Sequence, residues 1–133
     1  MKFKALIVCE TCLIDGRTNA LSFINILEEI NISSVPAMLN KVSIISMLSQ
    51  DSPGENASVP LDVSVTLNDE SIIMQPITVD FGQRTDTRFI LDIGGIPIKS
   101  GGTLKFSVGQ NGREMIEYRV GVNLKEQLVT RVD

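Results

Sequence analysis

Apolar and polar residues alternate with a period of two along most of this chain. Leu61, Val63, Val65 and Leu67 fall on one beat, and Asp62, Ser64 and Thr66 on the other. The same beat runs through Ile77, Val79 and Phe81, through Phe89, Leu91 and Ile93, and through Leu104, Phe106 and Val108. It is longest from Ile116 through Tyr118, Val120 and Val122 to Leu124. Side chains alternate faces in this way only on a strand, so each run predicts a strip with one buried and one wet face.

Residues 3–9 are nearly all apolar and predict a central strand. Asp15-Gly16 marks a turn in which the glycine supplies a positive φ. Residues 19–30 fit two templates. Ala20, Phe23, Ile24, Leu27 and Ile30 make a helical stripe, whereas Leu21 with Phe23 and Ile24 with Ile26 make a bent strand. Asn31 to Asn40 reads as a connection with room for one helical turn. Val42 to Leu48 is a strand whose phase slips between Ile44 and Ile45, the mark of a β-bulge or of burial on both faces. Asp51 to Asn56 is a polar surface tip, and strands follow at 60–68, 72–81 and 87–93. Gly94-Gly95 and Gly101-Gly102 serve turns between strands. Asn111-Gly112 between two alternating runs is a strong hairpin signal. Seven to eight short strands, mostly joined as hairpins, predict an all-β, two-layer antiparallel sandwich forming a single domain over residues 1–133. Val8, Val63, Val65, Val79, Leu91, Phe106, Tyr118 and Val120 share the core phase, and Phe3, Phe23, Phe81 and Phe89 are assigned to the interior with Phe106.

Composition narrows what such a sandwich can do. A formal net charge of −4, with basic residues scattered, argues against nucleic acid and against an anionic membrane surface. With no Trp and one Tyr, the chain lacks the aromatics of a single-strand stacking platform. Lys2 and Lys4 before Ala5 to Cys9 resemble the start of a leader, but Glu10 ends the apolar run too early for one. Cytoplasmic residence is the expectation.

Histidine is absent, which removes the usual neutral-pH base and the commonest metal ligand. Asp62, Asp80 and Asp92 are carboxylates of the right type for acid–base work, but each sits on a polar strand beat where solvation is the ordinary role. Asp69, Glu70, Asp80, Asp86 and Asp92 lack the spacing of a calcium loop. The glycine pairs precede strands, so they do not form a phosphate loop. Cys9-Glu10-Thr11-Cys12 has C-x-x-C spacing. Its redox use needs a strand-to-helix turn, and a zinc site needs two more ligands, which only a dimer pooling Cys9 and Cys12 from both copies would supply. The plain alternative is a small buried Cys9 and a Cys12 at a strand end. No cofactor, no metal and no catalytic residue is therefore expected.

One resemblance emerges. A strand ending in Cys9 and Glu10, then Asp15-Gly16, the run Asn19 to Glu28, Pro36 before the next strand, and the hairpin from Gly101 to Gly112 resemble an uncharacterised bacterial family of small proteins, domain of unknown function 6941. The resemblance implies an Ig-like β-sandwich and strand over 19–28. It also implies that Cys9 is the recurring position and Cys12 incidental. It brings no activity with it.

The expected function is a non-catalytic protein-binding or assembly module with an unidentified protein partner. The alternatives are a structural component of a larger particle, such as a phage or secretion-type assembly, and an enzyme using carboxylates or an intersubunit metal. Self-association as a homodimer is expected because Ser43, Ser46, Ser64, Thr66, Ser107 and Gly121 make the polar beats small and uncharged. The unbroken Ile72-Ile73-Met74 and Ile44-Ile45 runs would add apolar surface, unless strands buried on both faces absorb them within one copy.

Overall fold

The computed structural model describes residues 1–125, and these contain nine strands and no helix. They are β1 (Lys2–Ile14), β2 (Leu21–Ile26), β3 (Glu29–Ile32), β4 (Ala37–Ser49), β5 (Ser58–Leu67), β6 (Glu70–Asp80), β7 (Asp86–Ile98), β8 (Gly102–Gln110) and β9 (Arg113–Leu124). One sheet has the order β2-β1-β4-β7 and the other β3-β9-β8-β5-β6. All neighbours are antiparallel except β3 and β9, which run parallel from Glu29 opposite Gly121 to Ile32 opposite Leu124. The described residues thus hold one strand more than the range expected from the pattern, and one parallel pair. Residues 126–133, which the single-domain expectation also covers, lie outside the described residues.

The wiring is that of an immunoglobulin-like Greek key. Strands β1, β4 and β7 occupy the A, B and E positions of one sheet, and β9, β8, β5 and β6 the G, F, C and C′ positions of the other. Strand β3 leaves the first sheet and pairs with the last strand, as a divided A strand does.

Two tight hairpins follow the turn chemistry. Asn68-Asp69 has φ of 51° and 67°, and Asn111-Gly112 has φ of 54° and 76°. Left-handed residues at both central positions make type I′ turns, whose twist matches the strands they join. Elsewhere the pattern misleads. Residues 31–40 hold no helical turn: Asn31 and Ile32 belong to β3, and β4 starts at Ala37. Gly94-Gly95 does not end a strand. β7 runs through it, with φ of 76° at Gly95, because Ile96 and Ile98 remain fully buried opposite Leu39 and Ala37. The turn after β1 does not use Gly16 for a positive φ; Asn19 carries it, at 62°.

The two sheets enclose one core. Val8, Val63, Val65, Val79, Phe106 and Val120 are buried in it, while Leu91 and Tyr118 pack half-buried against it. Phe81 and Phe106 are fully buried, and Phe3 and Phe89 lie half-buried at the margins. Phe23 is the exception among the phenylalanines, standing on β2 apart from this cluster. The phase slip at Ile44 and Ile45 is burial on both faces, since the β4–β7 ladder passes it with no register break. Ser46 also departs from expectation. It faces inward between Leu6 and Phe89 and donates its hydroxyl to the Ala5 carbonyl at 2.9 Å.

Candidate functional site

Ile45 has no exposed surface, although it lies on the outer face of the β2-β1-β4-β7 sheet. Cys9 and Ser43, its neighbours on that face, are equally buried, and Ile7, Met47 and Ile90 are half-buried. An outer sheet face is normally wet, so something covers this one.

The cover is the far half of β1 with β2. Arg88 stands on β7 opposite Met47, and Met47 stands opposite Ala5. Arg88 Nη1 donates to the Asn19 carbonyl at 3.0 Å, and Nη2 to Asn19 Oδ1 at 2.9 Å. Asn19 follows Ile14, which lies nine residues beyond Ala5 along β1. A straight strand would carry Ile14 about 30 Å from Ala5, far outside the reach of an arginine. The hairpin therefore folds back across the outer face, passes over β4 and meets β7 with its tip. We call it the arm.

The bend has a local cause. At Glu10 and Asn25, which face each other between the Cys9–Ile26 and Thr11–Ile24 pairs, Asn25 adopts φ of 56°. Asparagine tolerates this left-handed conformation better than most residues. Its Nδ2 donates to Glu10 Oε2 at 2.7 Å, clipping the two strands together at the corner. The tip is also tied, because Asp15 Oδ1 accepts the amides of Arg17 at 2.8 Å and Thr18 at 3.1 Å. Those two donors hold the exposed Asp15 carboxyl below its usual pKa.

Both cysteines belong to this layer. The Cys9 thiol donates to the Thr11 carbonyl at 3.3 Å, and both thiols are free. Burial pushes the Cys9 thiol pKa up, with the proximity of Cys12 adding to the rise. Burial likewise raises that of Cys12, partly offset by the charge of Arg88. Thiols in this state are protonated at neutral pH, the opposite of a reactive or metal-ready thiolate. Among the described residues no group of three or more Cys, Asp or Glu stands together as a metal cage.

The carboxylates do not converge. Asp62 on β5 faces Pro76 and Gly109 across its two ladders, and Asp80 lies four residues beyond Pro76 along β6. Asp80 Oδ1 accepts the Gly82 amide at 2.9 Å, a turn-forming role. Asp92 belongs to the other sheet and accepts the Ser43 hydroxyl.

No protein-family model matches the chain, and comparison with curated proteins returns no relative. The arm is thus read from its own surface. Leu13, Ile14, Ile24 and Ile26 are 50%, 53%, 43% and 51% exposed, so four of the nine exposed large hydrophobic residues among the described residues fall on one hairpin. Beside its tip opens a cleft of about 480 Å³ lined by Lys4, Asn19, Met47, Arg84, Asp86 and Arg88. Lys4 and Asp86 form an exposed ion pair there at 3.4 Å.

The outer face of the second sheet looks different. Lys105 pairs with Glu114 at 3.1 Å and Glu117 at 3.8 Å, and Arg119 with Glu117 at 2.9 Å. The Arg119 guanidinium holds the Glu117 carboxyl below the usual range. Ser64 and Thr66 share this charged face, while Met74 stands exposed on β6. Sequence reasoning looked for sticky surface on the small polar beats and missed the arm. Ser43 and Ser107 proved buried, and Ile72 and Ile73 pack against the core. Leu13 and Ile14 were the available signal, since they continue an apolar strand beyond the length of its sheet.

Proposed function

We propose that this protein is a non-catalytic protein-binding or assembly module that acts as a homodimer, with the arm as its contact surface. The observation that carries this reading is the exposure of Leu13, Ile24 and Ile26, which share one side of the β1–β2 ladder, on a hairpin that folds back over the sheet. Contiguous exposed apolar surface on a small domain marks a partner site. The protonated thiols and dispersed carboxylates support the non-catalytic part, and cytoplasmic residence is part of the proposal; among the described residues no helix is long and apolar enough to cross a membrane. The Greek-key topology also supports kinship with the bacterial family of Ig-like sandwiches that the sequence resembles.

Analytical ultracentrifugation at micromolar concentration tests the reading. A concentration-dependent dimer is expected, and Leu13→Glu with Ile24→Glu should shift it to a single species at the 14.5 kDa chain mass. The melting temperature should change little, because neither side chain is in the core. Wild-type protein that sediments only as a monomer would end the homodimer reading.

A further inference from the structure

We infer that the arm is exchangeable: in the dimer, each copy's β1–β2 hairpin lies on the outer sheet face of its partner. This inference rests on the homodimer reading and specifies its geometry. It begins with the face beneath the arm. Cys9, Ser43 and Ile45 are fully buried there and Ile7, Met47 and Ile90 partly so, which leaves an apolar floor that needs a lid. The surface that fits this floor is encoded in residues 11–24 of the same chain. A second copy carries an identical lid, with the same Asn19 tip for the same Arg88. Exchange of an identical element between copies needs no new complementarity.

The hinge is equally specific. The arm is joined to its own domain at one corner, where Asn25 is held left-handed at φ of 56° and the Asn25–Glu10 hydrogen bond closes the bend. Straightening β1 and β2 would return Asn25 to extended backbone, which L-residues prefer. The arm–floor contacts would be kept, because the partner's floor replaces the chain's own.

The arm's exposed side favours exchange over a closed monomer. Ile24 and Ile26 flank the hinge residue and stand about half exposed when the arm is folded back. In an exchanged dimer the two hinges lie side by side across the two-fold axis, so these residues and Leu13 meet their counterparts. The closed monomer offers them no cover.

Crosslinking with a defined geometry tests this. In a Cys9→Ala, Cys12→Ala background, one preparation carries Ala20→Cys at the tip and another carries Lys4→Cys beside the same cleft. The two are mixed, allowed to re-equilibrate through unfolding and refolding, and treated with a short bis-maleimide. A product joining the two different chains is expected if arms exchange. If the mixture sediments as a dimer and yields no such product, while a chain carrying both cysteines links only to itself, exchange is refuted and the homodimer reading survives. If wild-type protein is only monomeric, both fail. The hinge gives a second measurement that needs no crosslink. Asn25→Val, which prefers extended backbone, should tighten dimerisation about tenfold, and Asn25→Gly should loosen it. Unchanged association in both variants would overturn the inference even if the cysteine variants failed to fold.

Discussion

Asn68 shows how much one side chain can organise. Its Oδ1 accepts the Thr103 amide at 3.0 Å, and its Nδ2 reaches the Gly101 carbonyl at 3.1 Å and Ser100 Oγ at 3.2 Å. This works because Gly102 has no side chain: a Cβ there would lie 1.9 Å from Asn68 Oδ1, on a backbone at φ of 139°. Gly102→Ala should therefore lower stability by about 1–3 kcal/mol, whereas Gly121→Ala, with open space around its Cβ position, should be nearly silent in the same thermal melts. Cys9 allows a second residue-level test. Its thiol pKa is raised from 9.0 by burial, so the folded state holds its proton at pH values where the unfolded chain would release it. Stability from this group is complete below the unfolded pKa and declines as pH rises past it toward the folded value. Melts above about pH 9 should fall more steeply for the wild type than for Cys9→Ala. Equal slopes would show that this thiol is not desolvated.

At the scale of elements, the strands were legible and the bend was not. Alternation locates β5, β8 and β9 because each has one face on the core and one in water. The β8–β9 hairpin declares itself through Asn111-Gly112, as two left-handed residues must. Residues 19–30 could not be resolved by pattern, since Phe23 pairs with Cys12 on the arm, apart from the main core, while Leu27 and Ile30 pack against that core. Two destinations superimposed on one segment imitate a helical stripe. The arm itself is fixed by a contact spanning from residue 19 to residue 88, which leaves no local period. That contact supplies the element-level prediction. Arg88→Ala removes both hydrogen bonds to Asn19, and at this exposed site each is worth about 0.5–1.5 kcal/mol. Amide exchange over residues 11–24 should accelerate several-fold while β5 and β8 keep their protection. Equal protection of the arm in both proteins would show that the tip contact does not hold it.

At the scale of the molecule, the core expectation carried through. Six of the eight residues assigned to it by phase are buried, and Leu91 and Tyr118 lie at its edge. Phe106 and Phe81 are the two largest fully buried side chains among the described residues, so Phe106→Ala should cost about 3–5 kcal/mol, read as a lower denaturant midpoint. A midpoint equal to that of the wild type would contradict its place in the interior. The candidate site was less visible because it depends on how two layers meet. A period of two says which side of a strand is apolar; it does not say that a hairpin will return to cover the opposite side.

Strand β3 has a consequence for how the chain is made. Among the described residues its only ladder is with β9, from Glu29 with Gly121 to Ile32 with Leu124. During synthesis β3 therefore emerges long before its partner exists, and although the β2-β1-β4-β7 sheet can close once β7 is made, the β3-β9-β8-β5-β6 sheet is incomplete until β9 has left the ribosome. A chain stalled after β8 would present two open strand edges, those of β3 and β8, to its neighbours. Correct assembly of this domain thus waits for β9, which slots between β3 and β8 after both have been made.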